Sequence, residues 1–341
     1  DYLAEITMSI LARARSKDPK LGYATDFVST VMKMNLRQIS DQKVKIISNA
    51  GGVNPLACAE AIRELIKDQN LNLKVAVITG DDLLDHKTSV FDSNIAEMFS
   101  GEALPDQKNV VSINAYLGAF PIAEALKQGA DIVITGRCVD SAVTLAACIY
   151  SFNWHEENWN YLASGSLAGH IIECGTQSTG GNFTDWELIA DQIDNMGYPI
   201  VEIFENSDFN CLKSNKSGGL VSVGTVSEQM LYEIGDPQAY VLPDVICDFS
   251  EVQIKQVDKD IVEVKGAIGY PAPKDYKVSM TYSDGFRGGH LMSFVGIDAS
   301  KKANAYGEAI FKRSRNIMKK MNISDFTETS IEILGDESQY S

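Results

Sequence analysis

Four short segments combine glycine with asparagine, aspartate or arginine, which are residues that bind ligands or move protons. Each follows a run of apolar, mostly β-branched residues that predicts a buried strand. Ligands of open parallel sheets bind outside the carboxyl ends of the strands, so the pattern predicts one site built from all four segments. The segments are Asn49-Ala50-Gly51-Gly52-Val53-Asn54-Pro55, Gly80-Asp81-Asp82, Asn114-Ala115-Tyr116-Leu117-Gly118 and Gly136-Arg137-Cys138-Val139-Asp140.

The residue types in these segments suit different steps of chemistry. Gly51-Gly52 and Gly136 let a ligand approach the backbone, and the helices predicted to follow present N–H groups to an anion. Arg137 can bind the same anion through two hydrogen bonds. Asp81 and Asp82 can bind a divalent ion or act as a general base. Ordinary turn and cap residues explain any single segment better, whereas the four segments together favour a site.

Two further polar segments follow in the middle of the chain. His170 and Glu173 are three residues apart in a predicted helix, so they share a face and can ligate a metal or act as a base and its orienting partner. A histidine near a helix C-terminus also interacts favourably with the helix dipole, which is the structural alternative. Gly180-Gly181-Asn182 offers donors for an oxyanion or a carboxylate, and an ordered structural loop explains this segment equally well.

Several known sequence fingerprints are absent. The sequence has no G-x-G-x-x-G and no G-x-x-x-x-G-K-[ST], which disfavours binding of a dinucleotide or a nucleoside triphosphate. It has no G-x-S-x-G, which disfavours an α/β-hydrolase. The six cysteines lie far apart without a C-x-x-C pair and are expected to be reduced thiols.

The elements that position these residues alternate between strands and helices in the first half of the chain. Strands are predicted at 44–48, 75–79, 110–113 and 132–135. Helices are predicted to start at Asp26, Asn54, Pro121 and Asp140. This alternation predicts an α/β fold, with a doubly wound, mostly parallel, Rossmann-like sheet over residues 1–175.

The second half, residues 176–341, has a different pattern. Residues 175–219 are rich in Gly, Asn, Ser and Thr and predict ordered loops. Helices are predicted at 226–234 and 299–321, and strands at 252–257, 261–268, 277–282, 291–297 and 330–334. The first two strands flank Asp258-Lys259-Asp260 and predict a hairpin. We therefore expect an α+β domain with an antiparallel sheet.

The composition limits the classes of partner. The 341 residues include 30 Lys and Arg against 46 Asp and Glu, a formal net charge of −16 that repels nucleic acids and anionic membranes. The basic run between Lys312 and Lys320 predicts a solvated helix face. No uncharged run reaches the roughly 18 residues of a membrane span. We expect a soluble, cytoplasmic protein with no nucleic-acid and no membrane partner, with the mitochondrial matrix as the alternative compartment.

Several longer blocks of the sequence occur in a fixed order. They are Asp1 to Met8, Ser48 to Pro55, Thr135-Gly136-Arg137 with Val139 to Ala142, Glu173-Cys174-Gly175 with Thr179 to Trp186, Gly218 to Val223, Tyr232 to Pro237, and Leu242 to Val245 with Asp248-Phe249. These blocks resemble the signatures of the acyclic terpene utilisation family, AtuA, from Asp1 to about Tyr340. Members of that family carry a first strand and a Gly-rich turn before the first block, so we expect that this strand is missing here.

The resemblance implies a pathway more strongly than a reaction. The family is named for bacterial gene clusters that degrade citronellol and geraniol through branched acyl-CoA thioesters. It implies an enzyme, of the lyase or hydratase type, that acts on an acidic or CoA-linked branched acyl substrate by hydration, dehydration or carbon–carbon cleavage. The expected catalytic residues are Glu5, Asp81, Asp82, Arg137 and Asp140. The expected substrate-binding residues are Asn49, Gly51, Gly52, Asn114, Gly136, His170, Glu173, Gly180, Gly181 and Asn182.

Two other functions remain open from the sequence. The same loops can belong to a non-catalytic subunit that binds a ligand or another enzyme of the pathway, or to a nucleotide-binding regulatory domain. The partner expected under the enzyme interpretation is a small acyl or acyl-CoA molecule, and a homo-oligomer is expected. No cofactor is assigned, apart from a divalent metal as a hypothesis.

Overall fold

A computed structural model describes residues 1–335, which divide into one compact unit from Asp1 to Ser283 and a second that begins at Asp284. The helices of the first unit are α1 (Glu5–Lys17), α2 (Lys33–Gln42), α3 (Pro55–Asp68), α4 (Lys87–Asp92), α5 (Phe120–Lys127), α6 (Ala142–Phe152), α7 (Trp159–Glu173) and α8 (Val223–Leu231). Its strands are β1 (Ile46–Ser48), β2 (Val75–Ile78), β3 (Val110–Ala115), β4 (Ile132–Thr135), β5 (Pro199–Ile203), β6 (Phe209–Lys213), β7 (Tyr240–Val241), β8 (Ile246–Asp248), β9 (Gln253–Asp258), β10 (Ile261–Lys265), β11 (Ile268–Tyr270) and β12 (Val278–Tyr282). The second unit contains α9 (Ala299–Lys320).

A small parallel sheet lies at the centre of the predicted α/β half. Its order is β1-β4-β2, with Ile132 of β4 opposite both Ile46 and Val75. Strand β4 is buried along its whole length, which explains its continuous apolar sequence. The fold is therefore mixed α/β, as predicted at that level.

Strand β3 differs from the prediction. It pairs antiparallel with β12, with Ala115 opposite Val278, and is not a neighbour in the parallel sheet. The doubly wound arrangement is therefore not confirmed. A local apolar run predicts a strand but not its partner, and the partner of β3 lies far along the chain.

Of the three predicted helix caps Asp26, Asn54 and Asp140, Asn54 caps a helix in the structure. Asn54 accepts a hydrogen bond from the amide of Ala57 and precedes Pro55 at the start of α3, as predicted. Within the described residues, the side chain of Asp26 makes no capping hydrogen bond. A π-helical segment, Phe27–Met32, follows it and leads directly into α2. Asp140 makes no cap either, since its carboxylate bonds to Arg137 instead.

The strands of the second half pair in antiparallel sheets, as predicted. One has the order β5-β6-β10-β9 and includes the expected β9–β10 hairpin, and another has the order β11-β8-β7. Strands β5 and β6 lie in the segment predicted as loops. The strands predicted at 291–297 and 330–334 are wrong, because these residues form turns and irregular backbone.

The main hydrophobic cluster includes residues on both sides of residue 175. Ile171 on α7 and Phe209 on β6 are both buried within it. The domain boundary between residues 175 and 176 stays a prediction. Among residues 1–335, no helix has both the length and the apolar character that crossing a membrane requires.

Candidate functional site

Arg137 is the centre of the candidate site, two residues after β4. Its side chain is 2% exposed, and Nη1 donates to Oδ1 of Asp140 at 2.8 Å and to the carbonyl oxygen of Leu3 at 3.1 Å. The guanidinium carbon lies 4.1 Å from the centre of the Tyr116 ring. Burial opposes the charge, but Asp140 and Tyr116 outweigh it and raise the pKa of Arg137. The site is therefore built around a permanent buried cation.

Asp81 links three of the predicted segments through hydrogen bonds to Asn114 and to the backbone of Arg137. Its Oδ2 accepts hydrogen bonds from the Asn114 amide nitrogen and from the backbone N–H of Arg137, each at 2.8 Å. A Cβ at Gly136 would overlap the Asp81 carboxylate, so glycine is required there for packing. Burial raises the pKa of Asp81 despite these hydrogen bonds. The structure thus brings Asp81, Asn114, Gly136 and Arg137 together, although Asn114 comes from β3, which lies outside the parallel sheet. That these residues form a site stays a prediction.

Glu5 approaches the same cation from the start of α1. The Tyr116 hydroxyl donates to Glu5, whose Oε1 lies 3.5 Å from Nζ of Lys277 and 4.0 Å from Nη2 of Arg137. Burial opposes ionisation of Glu5, but the Tyr116 hydrogen bond and the two cations lower its pKa. Burial raises the pKa of Tyr116 to about 12, so its hydroxyl remains a donor. The Glu5 side chain is 58% exposed and is an ionised group that solvent and ligands can reach.

Sequence reasoning missed two residues of this group. Tyr116 lies two residues after Asn114, within one of the four segments predicted to form the site. Its position after a predicted strand could have identified it as a site residue. Lys277 comes from the start of β12, and its Nζ lies 4.7 Å from the centre of the Tyr116 ring. No local pattern marks Lys277, because only the pairing of β12 with β3 places it there.

Three carboxylates form an acidic cluster that includes the Arg137-bound Asp140. Oxygens of Asp1, Asp140 and Glu173 all lie within 4.8 Å of one another. Burial raises the pKa of Glu173, and the charge of Asp140 adds to this effect. Oxygen ligands of this kind suit a hard divalent cation, so the cluster fits the metal hypothesis better than the predicted His170 and Glu173 pair. Metal binding stays a prediction.

His170 is buried on the same helix as Glu173. It is 4% exposed, its Nε2 has no hydrogen-bond partner in the described chain, and burial lowers its pKa. Gln229 on α8 donates to the carbonyl oxygen of His170 at 2.8 Å and to Oε1 of Glu173 at 3.3 Å. The neutral ring packs 5.8 Å from that of Tyr240. In the structure, His170 therefore belongs to the packing behind the acidic cluster.

The segment after β1 is covered by the first residues of the chain and by α1. The fully buried Asn49 accepts a hydrogen bond from the backbone N–H of Tyr2 at 2.7 Å and donates to the Asp1 carboxylate. A Cβ at Gly52 would overlap the side chain of Leu11 on α1, and one at Gly51 would overlap backbone and Pro55. Gly52 lets α1 pack closely, and Gly51 lets the loop pack against the end of β4. Contact of either glycine with a ligand stays a prediction.

The remaining predicted residues lie apart from Arg137. Asp82 bonds to Nη1 of Arg15 at 3.0 Å and to the amide of Leu84 at 3.0 Å. Gly180-Gly181-Asn182 follows α7, with Gly181 packed against Thr176 and Asn182 exposed. Within residues 1–335, no hydrogen bond links this segment to Arg137 or to the acidic cluster.

Comparison with known proteins confirms the family that the sequence blocks resemble. The family model described as "Acyclic terpene utilisation family protein AtuA" matches residues 1–340, essentially the whole chain. No curated protein and no solved structure matches it. On the strength of the full-length family match, this chain belongs to the acyclic terpene utilisation family AtuA.

Proposed function

We propose that this chain is an enzyme of acyclic terpene utilisation that moves a proton on an acidic or CoA-linked branched acyl substrate. The reaction class is hydration, dehydration or carbon–carbon cleavage. One observation carries the proposal: two carboxyl groups associated with the buried cation Arg137, Glu5 directly and Glu173 through Asp140, have pKa values that shift in opposite directions. The pKa of Glu5 is lowered, whereas that of Glu173, beside the Arg137-bound Asp140, is raised. When the surroundings of two carboxyl groups shift their pKa values apart, the group with the lower pKa can act as the base and the other as the acid.

In this proposal Glu5 is the base and Glu173 is the acid. Glu5 is ionised and exposed, so it can accept a proton from a bound substrate. Glu173 is half-buried beside Asp140 and retains its proton to higher pH, so it can donate one. Glu5 approaches Nη2 of Arg137, and Glu173 lies in the cluster that contains the Nη1-bound Asp140, so in this proposal one residue removes a proton and the other delivers one.

Arg137 stabilises negative charge that develops on the substrate. Its bond to Asp140 is charge-assisted, whereas its bond to Leu3 is to a neutral carbonyl oxygen. Hydrogen bonds to an ionised acceptor are about twice as strong as those to a neutral one. A substrate carboxylate or thioester oxygen therefore replaces Leu3 more easily than Asp140, and we propose that this exchange admits the substrate.

The first test is ligand binding measured by thermal unfolding. The panel contains 3-methylbutanoyl-CoA, 3-methylbutanoate, ATP, NAD, Mg²⁺, Mn²⁺ and Zn²⁺. We expect the CoA ester or the branched acid to raise the melting temperature, because a ligand that binds only the folded state stabilises it. A rise with ATP or NAD alone would instead support a nucleotide-binding regulatory domain and would contradict the proposal.

The second test is turnover of the ligand that binds, followed by mass spectrometry. We expect Glu5→Gln and Glu173→Gln each to lower kcat by about a hundredfold or more, which is typical for removal of an acid or base. The matched control is Glu308→Gln, which changes an exposed glutamate on α9. Binding without turnover by the wild type would support a non-catalytic subunit. Unchanged rates in both site variants would remove the acid and base assignment.

A further inference from the structure

A separate pocket of about 150 Å³ lies between the end of α1 and the segments that follow β1 and β2. Its apolar wall is formed by Ala12, Val53, Leu84 and Val111, and its polar wall includes Arg15 and Asp82. This position is outside the carboxyl ends of two strands of the parallel sheet, where open sheets bind their ligands. Arg15 is ten residues after Glu5 on α1, which is about 15 Å along a helix. The residues that line the pocket include none of those in contact with Arg137, although Asp82 is the chain neighbour of Asp81.

The polar wall of the pocket contains one positive and one negative side chain, Arg15 and Asp82, which form an ion pair. Arg15 Nη1 donates to Oδ2 of Asp82 at 3.0 Å and to the carbonyl oxygen of Val53. Within the described residues, Nη1 donates both hydrogen bonds of this guanidinium. The N–H groups of Nε and Nη2 are therefore able to donate to a ligand. Asp82 neutralises the charge of Arg15 and repels a second carboxylate. The wall therefore offers hydrogen-bond donors without a net positive charge.

The volume of the pocket suits a small molecule. A closed apolar cavity of about the same volume, 150 Å³, holds benzene. A molecule of about six non-hydrogen atoms therefore fills the pocket. Its apolar atoms contact the side chains of the apolar wall, and one polar atom reaches the donors of Arg15.

We infer that this pocket binds a compact, uncharged molecule with an apolar body and one hydroxyl or carbonyl oxygen. The apolar wall binds the body through the hydrophobic effect, and the Arg15 donors bind the oxygen. Because the Arg15–Asp82 pair is already neutral, a carboxylate of the same size binds less well. Binding here does not depend on the reaction proposed for the Arg137 group.

The probe is 3-methylbutan-1-ol, titrated into the full chain and followed by methyl NMR. We expect saturable shifts at the methyl groups of Ala12, Val53, Leu84 and Val111. We expect 3-methylbutanoate, the carboxylate with the same branched chain, to bind at least about tenfold more weakly, because it must lie beside Asp82. The absence of saturable shifts at these methyl groups, or equal affinity for the two molecules, would overturn the inference.

Two variants test whether the shifts report this pocket. Ser16 is an exposed residue of the pocket lining, and its hydroxyl donates to the carbonyl oxygen of Arg13 in its own helix. Ser16→Phe should therefore fill the pocket and abolish the shifts. Ser93→Phe is the matched control, because Ser93 makes the same local bond to Val90 away from the pocket. Arg15→Met should weaken binding of the alcohol by about tenfold, since a hydrogen bond to a charged group is lost. Undiminished binding in Arg15→Met or in a folded Ser16→Phe would contradict the assignment.

Discussion

Replacing Asp244 by asparagine should remove a defined part of the pH dependence of stability. Asp244 is 9% exposed, and its carboxylate accepts a hydrogen bond from the backbone N–H of Ala119 at 2.8 Å, at the start of α5. A Cβ at Gly118 would overlap this carboxylate, so glycine permits the close approach. Burial, opposed by the hydrogen bonds, raises the pKa of Asp244 from 3.8 to about 6.

The size of the effect follows from this pKa difference. A shift of about 2 units corresponds to about 3 kcal/mol, because each unit is about 1.4 kcal/mol. The pKa is higher in the folded state, so folding favours the protonated acid. The stabilisation is complete below about pH 4 and is lost as the pH rises through about 6. Asp244 should therefore lower the free energy of unfolding by about 3 kcal/mol across this window.

The assay is equilibrium denaturation by urea at several values from about pH 4 to about pH 7. Other carboxyl groups titrate equally in the wild type and in Asp244→Asn, so the difference between the two curves isolates Asp244. We expect the free energy of unfolding of the variant, relative to the wild type, to rise by about 3 kcal/mol from the acid to the neutral end. Asp68→Asn, which changes an exposed residue on α3, should show no such trend. A difference that is flat with pH, or that falls, would refute the reasoning.

Two further substitutions test the local geometry. Tyr116→Phe removes the hydroxyl that donates to Glu5, so the pKa of Glu5 should rise, as measured by ¹³C NMR of its carboxyl carbon. Tyr276→Phe is the exposed control, and an unchanged Glu5 titration in Tyr116→Phe would contradict the assignment. Gly52→Ala should lower the free energy of unfolding by about 2 kcal/mol, because Gly52 has a φ of +55° and a Cβ there overlaps Leu11. Denaturation with no change in midpoint would show that α1 adjusts without loss.

The sequence predicted local elements best where the signal was also local. The cap at Asn54 with Pro55 marked the start of α3, and the apolar runs marked β2 and β4 within a residue. The strands predicted at 291–297 and 330–334 do not form, although both segments are rich in apolar residues. A strand needs a partner, and partners are chosen by distant parts of the chain.

The sequence also predicted part of the candidate site, namely which residues come close together, but not all of their contacts. The rule for strand ends selected Asp81, Asn114 and Arg137, which the fold joins by hydrogen bonds. The same rule could not show that Asp82 turns away to Arg15, because both aspartates occupy the same segment. It also gave no sign that α1 packs against Gly52 of the first loop.

The sequence by itself determined the family, the mixed α/β class and the strand-end segments, because each is written in contiguous residues. Only the tertiary structure decided what surrounds Arg137. Leu3, Tyr116 and Asp140 enclose it, and Lys277 arrives nearby through the pairing of β12 with β3. Burial and neighbouring charge set the ionisation of each carboxyl group, and both depend on residues that are distant in sequence. The physical chemistry of the site is therefore a property of the folded chain.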